Sequence, residues 1–413
     1  MRLTRDHIPE PVHELCKRLE REGHRAWVVG GCVRDLLMGR PISDWDLATT
    51  ALPGDVQRIF RRTIPTGIQH GTVTVLHKGE AYEVTTLRGE SGYTDGRRPD
   101  EVRFVREIEE DLARRDFTVN AIAYDPITEQ LVDPWGGLAD LEARLIRAVG
   151  EPSERFGEDG LRVLRAARFC ATLGFRLEPR TAAAIPQSLG TFRKVSAERV
   201  HEEWRKALVS PKPSPAFEVM RETGILAVTC EPLASLAQGA FERTLRRVDA
   251  CRPDFALRLA ALLWELPLDG AASFADAWLR ELRCSNEERH RIVHLVEHRG
   301  VPEIAAGAVA RAWLREVGRE AALELLDLRD ASGVDTSGAR RLLEAEARSP
   351  VAVRELPIGG RDVMRALSLP PSRRVGAILE WLLDRVIEDP ALASREALRA
   401  LLPRAAAEVG AGA

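Results

Sequence analysis

Trp27-Val28-Val29-Gly30-Gly31-Cys32-Val33-Arg34-Asp35, followed by Ser43-Asp44-Trp45-Asp46-Leu47, is the stretch on which the reading of this chain turns. A short apolar run leads into a double glycine, then a helix start carrying an arginine, then a second strand carrying two aspartates. Side chains on a strand alternate between faces. A strand over 43–48 therefore puts Asp44 and Asp46 on one face and Trp45 on the other. Two such carboxylates, about 7 Å apart, repel each other unless a cation sits between them. Mg²⁺ suits the place, because it is usually held by one or two carboxylates together with substrate phosphates. The glycines let the backbone approach a phosphate closely, and a helix start favours an anion. One segment thus offers metal ligands and a phosphate seat.

Working outward, 413 residues suggest two to four domains. The net charge of −3 gives no global basic field, so contact with nucleic acid must come from a local patch. Six scattered cysteines with no Cys-x-x-Cys pair argue against a zinc knuckle and fit reduced cytoplasmic thiols. The first residues lack the apolar core of a signal segment, and no run approaches a membrane span of about 20 apolar residues. Three tyrosines are too few for an aromatic platform that stacks many bases.

Residues 8–22 show helical periodicity, with Val12, Leu15, Cys16 and Leu19 on one face. Strands are expected at 26–29, 43–48, 72–77, 80–87 and 101–105, with a hairpin turning at His77-Lys78-Gly79-Glu80. A helix opens at Pro53, and Gly89–Asp100 reads as a mobile loop. After Glu151-Pro152 almost nothing β-like remains, and alanine, leucine and arginine recur at helical spacing. Pro211–Pro215 and Ser349-Pro350 read as joints, and the Ala-Gly-rich end as frayed.

A third acidic candidate is Glu83, in Tyr82-Glu83-Val84-Thr85-Thr86. On a neighbouring strand it completes a triad with Asp44 and Asp46, enough for a two-metal site. By itself, a strand glutamate ordinarily faces solvent. The order of motifs is more specific. Gly-Gly-x-x-Arg-Asp, the spaced aspartates, Glu83-Val84-Thr85-Thr86, Arg114-Arg115-Asp116-Phe117-Thr118-Val119-Asn120-Ala121 and Glu158-Asp159-Gly160-Leu161-Arg162 follow one another here. That series resembles the class II tRNA nucleotidyltransferases, the bacterial CCA-adding enzyme and poly(A) polymerase family. The likeness is dense over 25–210 and weaker to the C-terminus.

The resemblance implies an α+β fold. A polymerase-β-like head at 1–148 would be followed by an all-helical neck (149–215), a body (216–349) with a degenerate His-Asp phosphohydrolase region, and a tail (350–413) for tRNA contact. It implies a cytoplasmic enzyme that adds CCA to the tRNA 3′ end from CTP and ATP, touching the 3′ end, acceptor stem and elbow. Asp44 and Asp46 would bind Mg²⁺, with Glu83 as third catalytic carboxylate. Gly31, Arg34 and Arg115 would hold the triphosphate through forked hydrogen bonds. Oligomeric state carries no sequence signal.

The neck motif bears on base choice. Asp159 and Arg162, at i and i+3, would share one helix face, with Arg165 and Arg168 extending it. Cytosine and adenine each show an amine donor beside an acceptor ring nitrogen, so a carboxylate and a guanidinium match both and mismatch G and U. The plainer reading is an intrahelical ion pair. Between 161 and 206, ten basic residues stand against four acidic ones, read as a cleft wall facing phosphate. Gly160, where relatives more often carry alanine or proline, is expected to weaken the helix by about 1 kcal/mol.

Four products are open to such a family member. The full-length Gly89–Asp100 loop disfavours CC-only addition, and the absence of a basic tail disfavours poly(A) tailing; A-only addition stays open beside full CCA addition. Two other classes are weighed, a non-catalytic RNA-binding relative and a metal phosphohydrolase. The intact carboxylates oppose the first. Trp264-Glu265, standing where some relatives carry a His-Asp pair, opposes the second. His290, His294 and His298 stack at helical spacing, but three on one helix span too far for one ion and no nearby carboxylate or cysteine is expected to complete a site.

Overall fold

The first 150 residues build one main sheet because their apolar residues alternate for two cores. The computed structural model describes residues 3–91 and 101–411. The chain divides into two compact units, Met1–Leu236 and Ala237–Ala413. In the first, helix α1 (Glu10–Arg21) precedes β1 (Ala26–Val29), α2 (Gly31–Leu37) and β2 (Asp46–Thr49). Then come α3 (Pro53–Ile59), β3 (Thr63–Gly67), β4 (Thr72–His77), β5 (Glu80–Thr86), β6 (Arg88–Ser91), β7 (Glu101–Phe104), α4 (Ile108–Ala113), β8 (Ala123–Asp125) and β9 (Gln130–Val132). Seven strands form a sheet in the order β3-β4-β5-β2-β1-β8-β9, while β6 and β7 pair separately.

Both faces of the sheet are covered. Val28, Leu47, Val73, Val75, Tyr82 and Val84 pack on one side with Val12, Leu15, Cys16 and Leu19 of α1 and with Val56 and Ile59 of α3. Trp27, Val29, Ala48 and Ala123 pack on the other with Leu112 and Val149. Trp27 and Val84 are wholly buried, and each such side chain contributes on the order of 1.5–3 kcal/mol. Leu47 of β2 packs in the first core and Ala48 in the second, so Asp46 faces away from the first, as strand alternation requires.

Two topological facts place the site. β1 runs antiparallel to β2, with Val28 opposite Leu47, so Gly30 at the end of β1 lies beside the start of β2. β5 runs parallel to β2, with Asp46 opposite Glu83. The β4–β5 hairpin forms as its turn residues predict, with His77 opposite Glu80. The expected loop at 89–100 is different at its start, where Gly89–Ser91 pair with Glu101–Arg103. Residues 92–100 lie outside the described part.

The rest of this unit is helical: α5 (Gly137–Ala143), α6 (Pro152–Glu158), α7 (Leu161–Leu173), α8 (Pro179–Phe192), α9 (Ala197–Leu208) and three shorter helices after 214. Between α5 and α8 a two-residue parallel ladder joins Leu145–Ile146 to Arg176–Leu177. The second unit contains helices and no strand among the described residues. Its last helix runs Arg395–Ala411 despite Pro403, so the end expected to fray is helical to Ala411. Among the described residues, no helix is long and apolar enough to cross a membrane.

Candidate active site

Gly30 turns the chain from β1 into α2 with φ of +77°, a region that favours glycine. A Cβ there would lie 2.6 Å from Nη1 of Arg115. The glycine therefore admits an arginine arriving from 85 positions downstream, and Gly31 follows as the first residue of α2. Arg34, buried one turn on, donates to the Asn120 side chain at 2.6 Å and to Asp35 at 2.8 Å and 3.0 Å. Arg115 is held by Asp111 at 3.2 Å and by the carbonyl of Asn120 at 3.4 Å. The two guanidiniums thus flank the glycine turn.

The carboxylates stand beside them. Asp46 opens β2, half-buried, and its neighbour across the parallel ladder is Glu83, which is exposed. Asp44 is not on the strand. β2 begins three residues later than the pattern suggests, and Asp44 is exposed, with Ser43 donating to it at 2.8 Å. Burial pushes the Asp46 carboxyl up to about 6, Glu83 and Asp44 push the same way, and only Arg115 opposes. An all-oxygen donor set carrying unrelieved repulsion fits a hard divalent cation. No trio that includes these carboxylates has its ligand atoms all within 4.8 Å of one another among the described residues, and like charges without a counter-ion have no reason to close further.

Asp159 departs from its expected place. It is extended (φ −139°, ψ 108°) between α6 and α7, outside either helix, so it does not share a helix face with Arg162. Its Oδ1 accepts from the Leu161 amide at 3.0 Å, an alternative to continuing the helix. The plainer alternative, an intrahelical ion pair with Arg162, does not form either. Arg199 of α9 grips Asp159 through both nitrogens, at 2.7 and 3.2 Å. Arg162 instead bonds Glu158, the Arg155 carbonyl and the Arg114 carbonyl. Gly160 sits at the break, not inside a helix. A Cβ there would come within 2.7 Å of the Thr191–Phe192 backbone, so glycine here permits close packing against the end of α8.

One cleft of about 540 Å³ gathers most of these groups. Gly30, Gly31, Arg34, Asp46, Arg115, Asp159, Arg162, Arg165 and Arg168 all line it. Asp44 and Glu83 are not part of that lining. Arg165 binds Asp116 at 2.6 Å, and Arg168 binds Glu203. Burial works against the Asp116 charge, but Arg165 and the Asn120 amide outweigh it and hold its carboxyl far below the usual range. Phe169 carries three guanidiniums near its ring, with Arg168 at 3.8 Å, Arg34 at 5.3 Å and Arg165 at 5.4 Å. Arg199, Phe169, Asp116 and Glu203 had no assigned role in the sequence reading. The Arg-Arg-Asp motif and the basic run around 199 are visible in the sequence, but Asp116 pairs with Arg165 49 positions away, Arg199 with Asp159 40 away and Glu203 with Arg168 35 away. Not all the basic excess faces the cleft, since exposed Arg180 pairs with Glu151.

In the second unit Glu265 is bound by Arg243 and Arg247 at 2.8 and 2.7 Å. Its carboxylate is already paired with two guanidiniums.

A mixed sheet presenting carboxylates beside a glycine turn and paired arginines has the chemistry of nucleotidyl transfer. Comparison with known proteins agrees. Residues 26–147 match the poly A polymerase head domain, 174–235 the RNA- and SrmB-binding site of polymerase A, and 257–402 the tRNA nucleotidyltransferase domain 2. The CCA-adding enzyme of Lactobacillus johnsonii is 38% identical over 91% of this chain and 92% of its own length. That of Lactobacillus delbrueckii subsp. bulgaricus is 39% identical over 94% and 96%. The crystal structure of the Bacillus stearothermophilus CCA-adding enzyme in complex with CTP superposes with a TM-score of 0.81 at 34% identity, covering 98% of this chain and all of that one. Fold and site together define a nucleotidyltransferase that works with a divalent metal. Within that class, the chain belongs to the CCA-adding enzyme family.

Proposed function

We propose that this protein adds CCA to the 3′ end of tRNA, using CTP and ATP, with Mg²⁺ as its metal and Asp44, Asp46 and Glu83 as its catalytic carboxylates. The observation that carries the reading is the single cleft that places Gly30, Arg34, Arg115 and Asp46 together with Asp159 and Arg162. Full-length relatives named as CCA-adding enzymes favour this product over A-only addition.

The tRNA 3′-hydroxyl attacks the α-phosphorus. The new O–P bond forms as the α–β bridge breaks, and pyrophosphate leaves. Arg34 and Arg115 take the triphosphate charge, and the glycine turn lets it approach the backbone. When bound, Mg²⁺ neutralises charge at the attacking and leaving oxygens. Asp159 accepts from the exocyclic amine of C or A, and Arg162 donates to the neighbouring ring nitrogen. Arg199 holds Asp159 in place. Arg165 and Arg168 complete the nucleotide wall. We assign 1–148 to the catalytic head, 149–215 to the neck, 216–349 to the body and 350–413 to a tail that contacts tRNA, in a cytoplasmic enzyme.

The test uses three tRNAs, ending before CCA, after C, and after CC, each with CTP or ATP alone. Two C additions to the first and one A addition to the third are expected. Activity on the third substrate alone would overturn the proposal.

A further inference from the structure

The helix Asn286–Glu297 ends in His294-Leu295-Val296-Glu297-His298. His294 and His298, four positions apart, share a face, and their ring centroids are 4.4 Å apart. One ring nitrogen of each and one carboxylate oxygen of Glu297 all lie within 4.8 Å of one another. The sequence reading expected no carboxylate to complete such a group; the structure corrects it. His290 is the histidine that stands apart, its ring nitrogen 3.0 Å from Arg289.

Two further observations point to a ligand. His294 Nε2 lies 2.8 Å from the carbonyl oxygen of Val317. A carbonyl only accepts, so Nε2 carries the proton and Nδ1 keeps its lone pair. This is how metal-binding histidines are commonly oriented, with the other ring nitrogen donating to a carbonyl. In addition, Glu316 on the Gly307–Val317 helix reaches within 3.5 Å of His298 Nδ1 and offers a second carboxylate. The histidines are half-buried and the glutamates exposed, so the group is held yet open to solvent.

We propose that His294, Glu297 and His298, with Glu316, bind a divalent transition metal of the zinc class. Two imidazoles with carboxylates suit that class and not Mg²⁺, which prefers oxygen alone. Ligand bonds of about 2.0–2.2 Å require the donors to close from the present spacing. The ion clips the end of one helix to the end of the next across the 299–306 connection. It is separate from the catalytic carboxylates, whose donors are all oxygen.

The test uses the full-length chain freed of metal by chelation, with Co²⁺ and Cu²⁺ as spectroscopic probes and Zn²⁺ as competitor. One equivalent should bind, Cu²⁺ resonance should show two nitrogen ligands, and Zn²⁺ should displace Co²⁺. His298→Ala should weaken binding at least about tenfold, while Asp46→Asn leaves it unchanged. Nucleotide addition by His298→Ala should match the parent. His298→Gln, checked for fold by circular dichroism, guards against a folding artefact and should cut the nitrogen signal from two ligands to one, as His298→Ala does. Absence of stoichiometric binding at about 100 µM metal, a spectrum of oxygen ligands only, or unchanged binding in both His298 variants would overturn the proposal.

Discussion

Asp46→Asn is expected to destroy activity and at the same time stabilise the metal-free protein. Burial first, then Glu83 and Asp44, hold this carboxyl at about 6 instead of the ordinary 3.8. That difference corresponds to about 3 kcal/mol against the folded state above pH 6, before solvent screening reduces it. The sign is fixed by proton uptake. Between pH 4 and 6 the folded chain holds a proton that the unfolded chain has lost, so this group's contribution falls as pH rises and is level above about pH 7. Asparagine does not titrate. The variant should therefore exceed the parent by about 1–3 kcal/mol at pH 8, with roughly half of that gap closed at pH 5. At a few degrees per kcal/mol for a unit of this size, the gap is readable in thermal melts with chelator present, the first unit being followed by hydrogen exchange in β2 and β5. A divalent cation should raise the parent's melting temperature more than the variant's. A variant no more stable than the parent, or a gap unchanged between pH 5 and 8, would refute the repulsion argument.

Three other perturbations probe the cleft. Arg199→Lys keeps the charge but loses the two-pronged grip on Asp159. About 1.5 kcal/mol of lost charge-assisted bonding should lower discrimination of C over U by about tenfold in single-turnover assays, with CTP affinity nearly unchanged. Gly30→Ala forces an L side chain into positive φ and onto Arg115. Strain of about 1–3 kcal/mol should raise KM for CTP and ATP alike by tenfold or more; steady-state kinetics with both nucleotides decide it. Phe169→Leu removes the ring under Arg168 and Arg34, and cation–π losses of about 0.5–2 kcal/mol should lower the first unit's melting temperature by several degrees.

Local rules made much of the head legible. Val12, Leu15, Cys16 and Leu19 announced α1 by spacing, and the His77–Glu80 turn announced its hairpin. Even the juxtaposition of Glu83 with the aspartates could be expected, since β5 is a strand that has to pair somewhere. The misreadings share a cause. Asp44 was placed on a strand because alternation has no marker for where pairing starts. Asp159 was placed on a helix because Glu158-Asp159-Gly160-Leu161-Arg162 has helical spacing, while the break depends on the end of α8 packing against Gly160. Arg199 reaches Asp159 across 40 residues, and Glu316 reaches His298 from the next helix. Such contacts belong to tertiary packing, which no short window of sequence contains.

Every arginine lining the cleft already has a carboxylate partner: Arg34 has Asp35, Arg114 and Arg115 share Asp111, Arg162 has Glu158, Arg165 has Asp116, Arg168 has Glu203 and Arg199 has Asp159. A nucleotide entering this site therefore does not meet bare positive charge. It displaces or shares internal carboxylates, and each swap is favourable only when the incoming group has the right shape and position. Free phosphate and stray polyanions gain little from such an exchange. The cleft is tuned to trade partners rather than to attract charge, so its salt dependence should be shallower than a count of its arginines suggests.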